Sequence, residues 1–264
     1  MTKVQDESKF SEEFLREVYI SIFGKEPPDT WFEETDYRSL AELFEIENLE
    51  TDLGLPKGFF LELLNEDDWS FIIKLHALIE ASFTHLLVQH FNQPSLEKIF
   101  SLLALSDLRT GKLAFAKSLE LVDTDIECFV RKMSEMRNAF VHNVTNVNIH
   151  IKDFLAGFDK NKRKEYKTGF LFGYKDKQNI QLRQNKDTYD VKRIIQLFSV
   201  ATFDEVPKLS IWFGSLVCLR QIYSHVILAQ IRVQKQDLNE QITTLLENAI
   251  VTPQLLEEDD HQED

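Results

Sequence analysis

Along most of this chain apolar residues recur every three or four positions, the spacing that gathers them on one side of an α-helix. Phe14, Leu15, Val18, Tyr19, Ile22 and Phe23 form such a stripe over residues 10–23, and Gly24 with Pro27-Pro28 ends it. Residues 37–49 predict a second, acidic helix, and Gly54-Leu55-Pro56-Lys57-Gly58 marks a boundary before the main domain. Asp67-Asp68 then opens a long helix through Trp69, Ile72, Leu75, Ile79, Phe83, Leu86 and Phe91, which Asn92-Gln93-Pro94 stops. Its apolar content makes it a core helix.

Residues 95–105 and 112–121 predict two shorter helices separated by Thr110-Gly111. Thr124-Asp125-Ile126-Glu127 has the form of a capping box, with Thr124 as N-cap of a helix over 125–142. Residues 149–158 fit a short strand or helix, and 168–183 alternate apolar and polar around Gly169 and Gly173, which predicts a β-hairpin. Residues 206–246 are mostly long helix, and 256–264 form an acidic, disordered tail. The fold class is therefore all-α in the main. It divides into an acidic helical module at 1–56, a helical-bundle domain at 57–250 with a basic insertion at 160–193, and a tail at 251–264.

A chain of 264 residues buries a substantial core without disulfides or metals. Cys128 and Cys218 stand in apolar surroundings with no metal-ligand spacing, so we expect no metal, no cofactor and a reduced, cytoplasmic setting. The polar start of the chain predicts no cleavable signal. The most apolar window, 211–231, carries Arg220, Gln221, Ser224 and His225, whose cost in lipid favours a buried helix over a membrane span.

The net charge of -14 argues against a nucleic-acid ligand until its distribution is considered. Nearly all of the excess acid precedes Ser70. Lys160, Lys162, Arg163, Lys164, Lys167, Lys175, Lys177, Arg183, Lys186, Lys192 and Arg193 reverse the balance, with Tyr166, Phe170, Phe172, Tyr174 and Tyr189 interleaved. Cations beside aromatics suit phosphate contact and base stacking. An exposed loop merely solvated by its lysines is the plainer alternative.

On the helix at 125–142, about 100° per residue places Ile126, Phe129, Val130, Met133, Met136 and Phe140 on one arc, with Arg131, Ser134, Asn138 and His142 opposite. Arg137 falls among the apolar residues, where an unpaired guanidinium is costly. Glu80 is a similar misfit on the long helix, so the two are expected to pair. Asn138 and His142, four residues apart, share a face and can address one ligand group. Arg137 and His142 are about 140° apart on an ideal helix, so their convergence needs a helix end, a bend or a second subunit.

Arg137-Asn138-Ala139-Phe140-Val141-His142 resembles the Arg-x4–6-His signature of the HEPN superfamily, with Asn directly after the Arg. The similarity covers roughly residues 67–143. Phe71 to Phe91 and Lys112 to Ala116 resemble the corresponding helices of its mannitol-operon-repressor branch. This resemblance implies a helical homodimer in which two motifs face each other as a composite, metal-independent ribonuclease site. His142 would act as general acid or base on the RNA 2'-hydroxyl, Arg137 would stabilise the phosphorane, Asn138 would orient the phosphate or His142, and Glu80 would position Arg137. Val144 stands two residues after His142, where toxins silenced through a tyrosine carry that residue.

Two functional classes follow. One is an endoribonuclease, as a toxin or phage-defence effector with an antitoxin or regulatory protein as partner. The other is a non-catalytic regulator that binds a protein or nucleic acid through the same fold. With either, the acidic N-terminal module could shield the basic segment as a phosphate mimic. The plain structural reading is that Arg137 and Glu80 only fix helix packing, while His142 caps a helix end whose dipole favours a cation. His76, His85 and His90 show no partner acid or nucleophile and are read as packing or surface residues. No nucleophile elbow, P-loop, dinucleotide fingerprint or zinc-protease motif is present in the sequence.

Overall fold

Residues 68–91 carry apolar side chains over most of the helix circumference, so stability requires other elements to surround them. In the computed structural model, which describes residues 46–172 and 203–257 with side chains through 247, that enclosure is achieved by helices alone. They are α1 (Ile46–Asp52), α2 (Phe59–Asn65), α3 (Asp68–Phe91), α4 (Glu97–Leu102), α5 (Lys112–Ser118), α6 (Thr124–His142), α7 (Ile151–Ala156), α8 (Lys160–Phe170) and α9 (Pro207–Glu257). Short 3₁₀ turns lie at Pro94–Leu96 and Val144–Asn146.

The central helix α3 is fixed at both ends. The Asp67 carboxylate accepts the Ser70 N–H at 2.9 Å, and Asn92 closes the helix in the left-handed region at φ 50°. Phe71, Ile72, Leu75, Ile79, Phe83, Leu86 and Leu87 are fully enclosed. Each such side chain contributes about 1.5–3 kcal/mol on leaving water, so this helix drives assembly of the bundle.

α9 lies alongside α3 in the same direction. Lys208 near its start pairs with Asp68 at 3.1 Å, and Arg232 donates to the His90 carbonyl at 2.9 Å. α6 runs the opposite way, because Asp123 at its start meets Gln221 at 3.3 Å while Trp69 donates to the Phe140 carbonyl near its end at 3.2 Å. At Gly214 a Cβ would stand 2.5 Å from the Phe129 ring, so only glycine allows this approach of α9 to α6. α8 lies along α6, with Phe170 edge-on to Phe129.

α3 and α9 are long and apolar enough to cross a membrane by length and composition. However, 56% and 61% of their apolar windows are buried within the protein, so packing already covers more than half of that surface.

Several predicted elements are redrawn. The N-cap of α6 is Asp123, whose carboxylate accepts the Ile126 N–H at 2.8 Å, so the helix starts one residue earlier than a Thr124 capping box requires. Glu127 turns instead to Lys117 and Arg131. Of the expected β-hairpin, Thr168 to Phe170 form the last turn of α8, and Leu171 and Phe172 follow it as a turn. Asp159 starts that helix by accepting the Asn161 and Lys162 N–H groups, and Tyr166 and Phe170 stack on one another four residues apart. Residues 173–183 of that hairpin lie outside the described residues. The 95–105 helix resolves into a 3₁₀ turn and α4, the 112–121 helix ends at Ser118, and the 149–158 segment contains the helix α7.

The helix predicted over 10–23 and most of that over 37–49 also lie outside the described residues. What is described, α1, continues to Asp52 and inserts Ile46 and Leu49 into the same core as the domain that follows. Glu50 locks this junction. Its carboxylate is buried and accepts the Gly58 N–H at 2.7 Å and the Phe60 N–H at 2.9 Å, while Trp212 of α9 donates to the Phe60 carbonyl at 2.8 Å. At the other end, α9 runs on through residues 251–257, assigned above to the tail, and 258–264 lie outside the described residues.

Removing the Glu50 carboxylate strands two donors. Glu50→Ala is expected to lower unfolding free energy by about 2 kcal/mol in urea titration, whereas Glu47→Ala, in an exposed ion pair, should change it by less than about 0.5 kcal/mol. Equal effects would show that the junction does not depend on the buried carboxylate.

Candidate functional site

The motif occupies the last turns of α6. Arg137 is half-buried, and its Nη1 donates to the Asn138 Oδ1 at 3.0 Å, so adjacent side chains present a guanidinium and an amide as one unit. Asn138 and His142 are exposed, and His142 is the final residue of the helix. The last carbonyls of a helix lack internal partners, and here two are satisfied from outside. Asn146 Nδ2 donates to the Ala139 carbonyl at 2.9 Å, and Trp69 donates to that of Phe140. Asn143 in turn accepts from the backbone and hydroxyl of Thr145. The tip carrying His142 is thereby fixed in place, and Val141 and Val144 beside it are exposed, Val144 by 82%.

α6 is continuous helix from Thr124 to His142, with no break to swing Arg137 towards His142. Among the described residues, no hydrogen bond or ion pair joins them.

Glu80 also has a different partner from the one expected. Its Oε1 accepts from Lys112 Nζ at 2.8 Å, and its Oε2 lies 3.9 Å from His76 Nδ1. Lys112 is 1% exposed, so this ammonium claims the nearest carboxylate to offset its desolvation. The reversal begins at Gly111, where a Cβ would fall 2.5 Å from the Asp107 carbonyl; the tight turn there directs Lys112 inward. From the sequence Lys112 is only the first residue of a short helix. No local pattern marks it as buried.

Lys112 and Glu80 extend into a larger polar cluster. The His76 Nε2 lies 3.2 Å from the Ser134 Oγ, and both residues are buried. Burial lowers the His76 pKa to about 4, the nearby Arg137 and Lys112 charges push the same way, and Glu80 opposes them. His76 is therefore neutral near pH 7. Ser134, placed on the outer face by the helical wheel, instead turns to α3, and His76 does have hydroxyl and acid neighbours. His76 and Glu80 share a helical spacing, but Ser134 comes from a distant segment and was invisible to local reading. The order hydroxyl, imidazole, carboxylate does not make a nucleophile. The 3.9 Å separation exceeds a hydrogen bond, Ser134 is sealed inside a helix, and the helical backbone around it has no donors free for an oxyanion.

The basic segment is partly neutralised. Lys162 pairs with Glu135 and Glu165, while Arg163 and Lys167 pair with Asp204, the latter at 2.6 Å. Among the described residues, Lys160 and Lys164 form no ion pair. Lys175, Lys177 and Arg183 lie outside the described residues, as do Tyr174 and Tyr189. Tyr166, Phe170 and Phe172 are buried in the core and cannot stack on bases, which corrects the expectation from their interleaving. Burial raises the Tyr166 pKa to about 12. A shallow groove of about 520 Å³ between α6 and α8 carries Arg131, Lys132 and Lys164 together with Glu135 and Glu165. At about 100° per residue, Arg131, Asn138 and His142 share one face of α6, so the groove borders the face of the motif.

Burial raises the thiol pKa of both cysteines, which keeps them protonated near neutral pH. Among the described residues, no three His, Cys, Asp or Glu side chains are placed to hold a metal ion. Comparison of the chain with models of known families, with curated proteins and with solved structures gives no match.

Two measurements probe the cluster. The His76 pKa lies below that of an unfolded histidine, so between about pH 6.5 and pH 4 the unfolded chain binds the additional proton and stability falls as pH falls. This contribution reaches up to about 3 kcal/mol, and His76→Gln should flatten the corresponding part of the urea-midpoint profile. An unchanged slope would show that His76 titrates normally. Glu80→Gln leaves the Lys112 ammonium without its counter-charge and is expected to cost about 3 kcal/mol, with Glu80→Gln/Lys112→Met recovering most of it. Additive losses in thermal denaturation would refute the coupling.

Proposed function

We propose that the protein is a metal-independent endoribonuclease of HEPN type, cleaving RNA at a composite site made by two copies of the motif. The observation that carries this reading is the fixed, exposed helix tip, where the hydrogen-bonded Arg137–Asn138 unit and His142 lie within one helical segment. The exposed Val141 and Val144 beside His142 supply apolar surface for a facing copy. Arg137 of one copy would then meet His142 of the other, the convergence that a continuous helix denies within one chain.

In that site the His142 imidazole takes the proton of the RNA 2'-hydroxyl. The 2'-oxygen attacks the adjacent phosphorus, the P–O5' bond breaks, and the leaving 5'-oxygen takes a proton. The products are a 2',3'-cyclic phosphate and a 5'-hydroxyl. Arg137 stabilises the negative charge that grows on the phosphoryl oxygens, and Asn138 holds the phosphate. Lys160 and Lys164 offer cations for the flanking backbone. Glu80 has no direct part in this scheme, since it is committed to Lys112.

The pairing of Lys162, Arg163 and Lys167 within the protein favours a second reading, a non-catalytic regulator that binds a partner protein or nucleic acid through the same face. Incubating purified protein with total RNA in EDTA separates the two. The enzyme reading expects cleavage leaving cyclic phosphate ends, reduced at least about 100-fold in His142→Ala and Arg137→Ala while their thermal unfolding stays near wild type. Binding without cleavage, or cleavage that survives His142→Ala, would sink it.

A further inference from the structure

α9 is 51 residues long, far more than α3 needs for cover. Its core-facing side ends with Ile222, Val226, Ala229 and the half-buried Val233, and from Gln234 to Glu247 every residue is exposed. Among the described residues, Arg232 makes its last polar tie to α3, through the His90 carbonyl. A helix leaving its domain should turn polar on every side, but α9 keeps an apolar stripe among its polar residues. Leu228, Ile231, Leu238, Ile242 and Leu245 are 47–69% exposed.

These side chains follow alternating steps of three and four residues, with Lys235 filling the remaining step. That is the a/d seam of a heptad repeat, in which a stripe of period 3.5 is covered by another helix. At about 100° per residue the stripe is centred roughly opposite the core-facing side, so the described helices of the bundle do not cover it. α9 thus carries an inner apolar face and an outer one.

We infer that the outer face is a coiled-coil seam that pairs with the same seam of a second copy of this chain. The heptad pattern specifies a helical occupant. The flanking positions beyond Arg232 are Gln234, Asn239, Gln241 and Leu246, all uncharged, so the flanks of identical copies meet without like-charge repulsion and nothing there selects an oppositely charged partner. Lys235, a polar residue in the seam, restricts register and strand number at some cost in stability. The seam begins at Leu228, roughly 30 Å along α9 from Lys208, which sits beside Asp68 at the pole of the bundle where α6 ends, from a rise of about 1.5 Å per residue. It is therefore separate from the His142 face, and the inference does not rest on the ribonuclease reading.

Sedimentation velocity of the full chain across the micromolar range tests it, with Leu238→Asp/Ile242→Asp, Lys235→Leu and Val144→Asp compared. The wild type should form a reversible dimer. The double seam variant should associate at least about 100-fold more weakly with unchanged circular dichroism, because it buries carboxylates without partners. Lys235→Leu should associate more tightly. A wild type that stays monomeric overturns the seam, which covers occupation of the stripe by another protein or by residues 1–45. So does a double seam variant that dimerises as tightly as wild type, since the dimer then forms elsewhere, and loss of association in Val144→Asp would locate it at the motif face.

Discussion

Enclosing α3 is the constraint on which the rest of the structure depends. Its apolar residues occupy most of the circumference, so no single partner helix can satisfy it, and α9, α6, α5 and α4 each take a sector. Directions follow from the ends. Lys208 and Arg232 bind α9 to the two poles of α3, while Trp69 and Asp123 fix α6 in the opposite sense. Glycine at position 214 lets the helices approach closely where a larger residue would hold them apart. The motif is at the pole it occupies because α6 must run antiparallel to α3.

The same enclosure explains the buried polar cluster. Closing α5 over α3 takes Lys112 out of water, and the cost is tolerable only because Glu80 meets it at 2.8 Å. Glu80 is therefore unavailable to Arg137, which turns to Asn138. The outcome is a guanidinium held in place by its sequence neighbour. Its half-exposed position keeps its remaining donors near the surface, where a phosphate could reach them.

The surface shows a similar competition. α8 brings several cations, but Glu135, Glu165 and Asp204 take up Lys162, Arg163 and Lys167, and the aromatic residues among them turn inward. A basic run is an electrostatic footprint only after internal pairing is subtracted. The apolar outer face of α9 is the converse case, since its stripe has no acceptor within the described residues and points away from the bundle.

The helical character, the long core helix and its stops, and the position of Arg137, Asn138 and His142 near a helix end were legible in the sequence. Each depends on local periodicity, caps or breakers, which act over a few residues. The heptad stripe of α9 was equally present in the sequence, but its meaning depended on knowing which face the bundle covers. The start of α6 at Asp123, the Lys112–Glu80 pair, the contact of His76 with Ser134 and the burial of Tyr166 and Phe170 came only with the tertiary structure. In these cases several local solutions were close in free energy, or the partner lay dozens of residues away. The sequence by itself determined the long helices, whose periodicity and breakers are local; packing against α3 decided which charges they share.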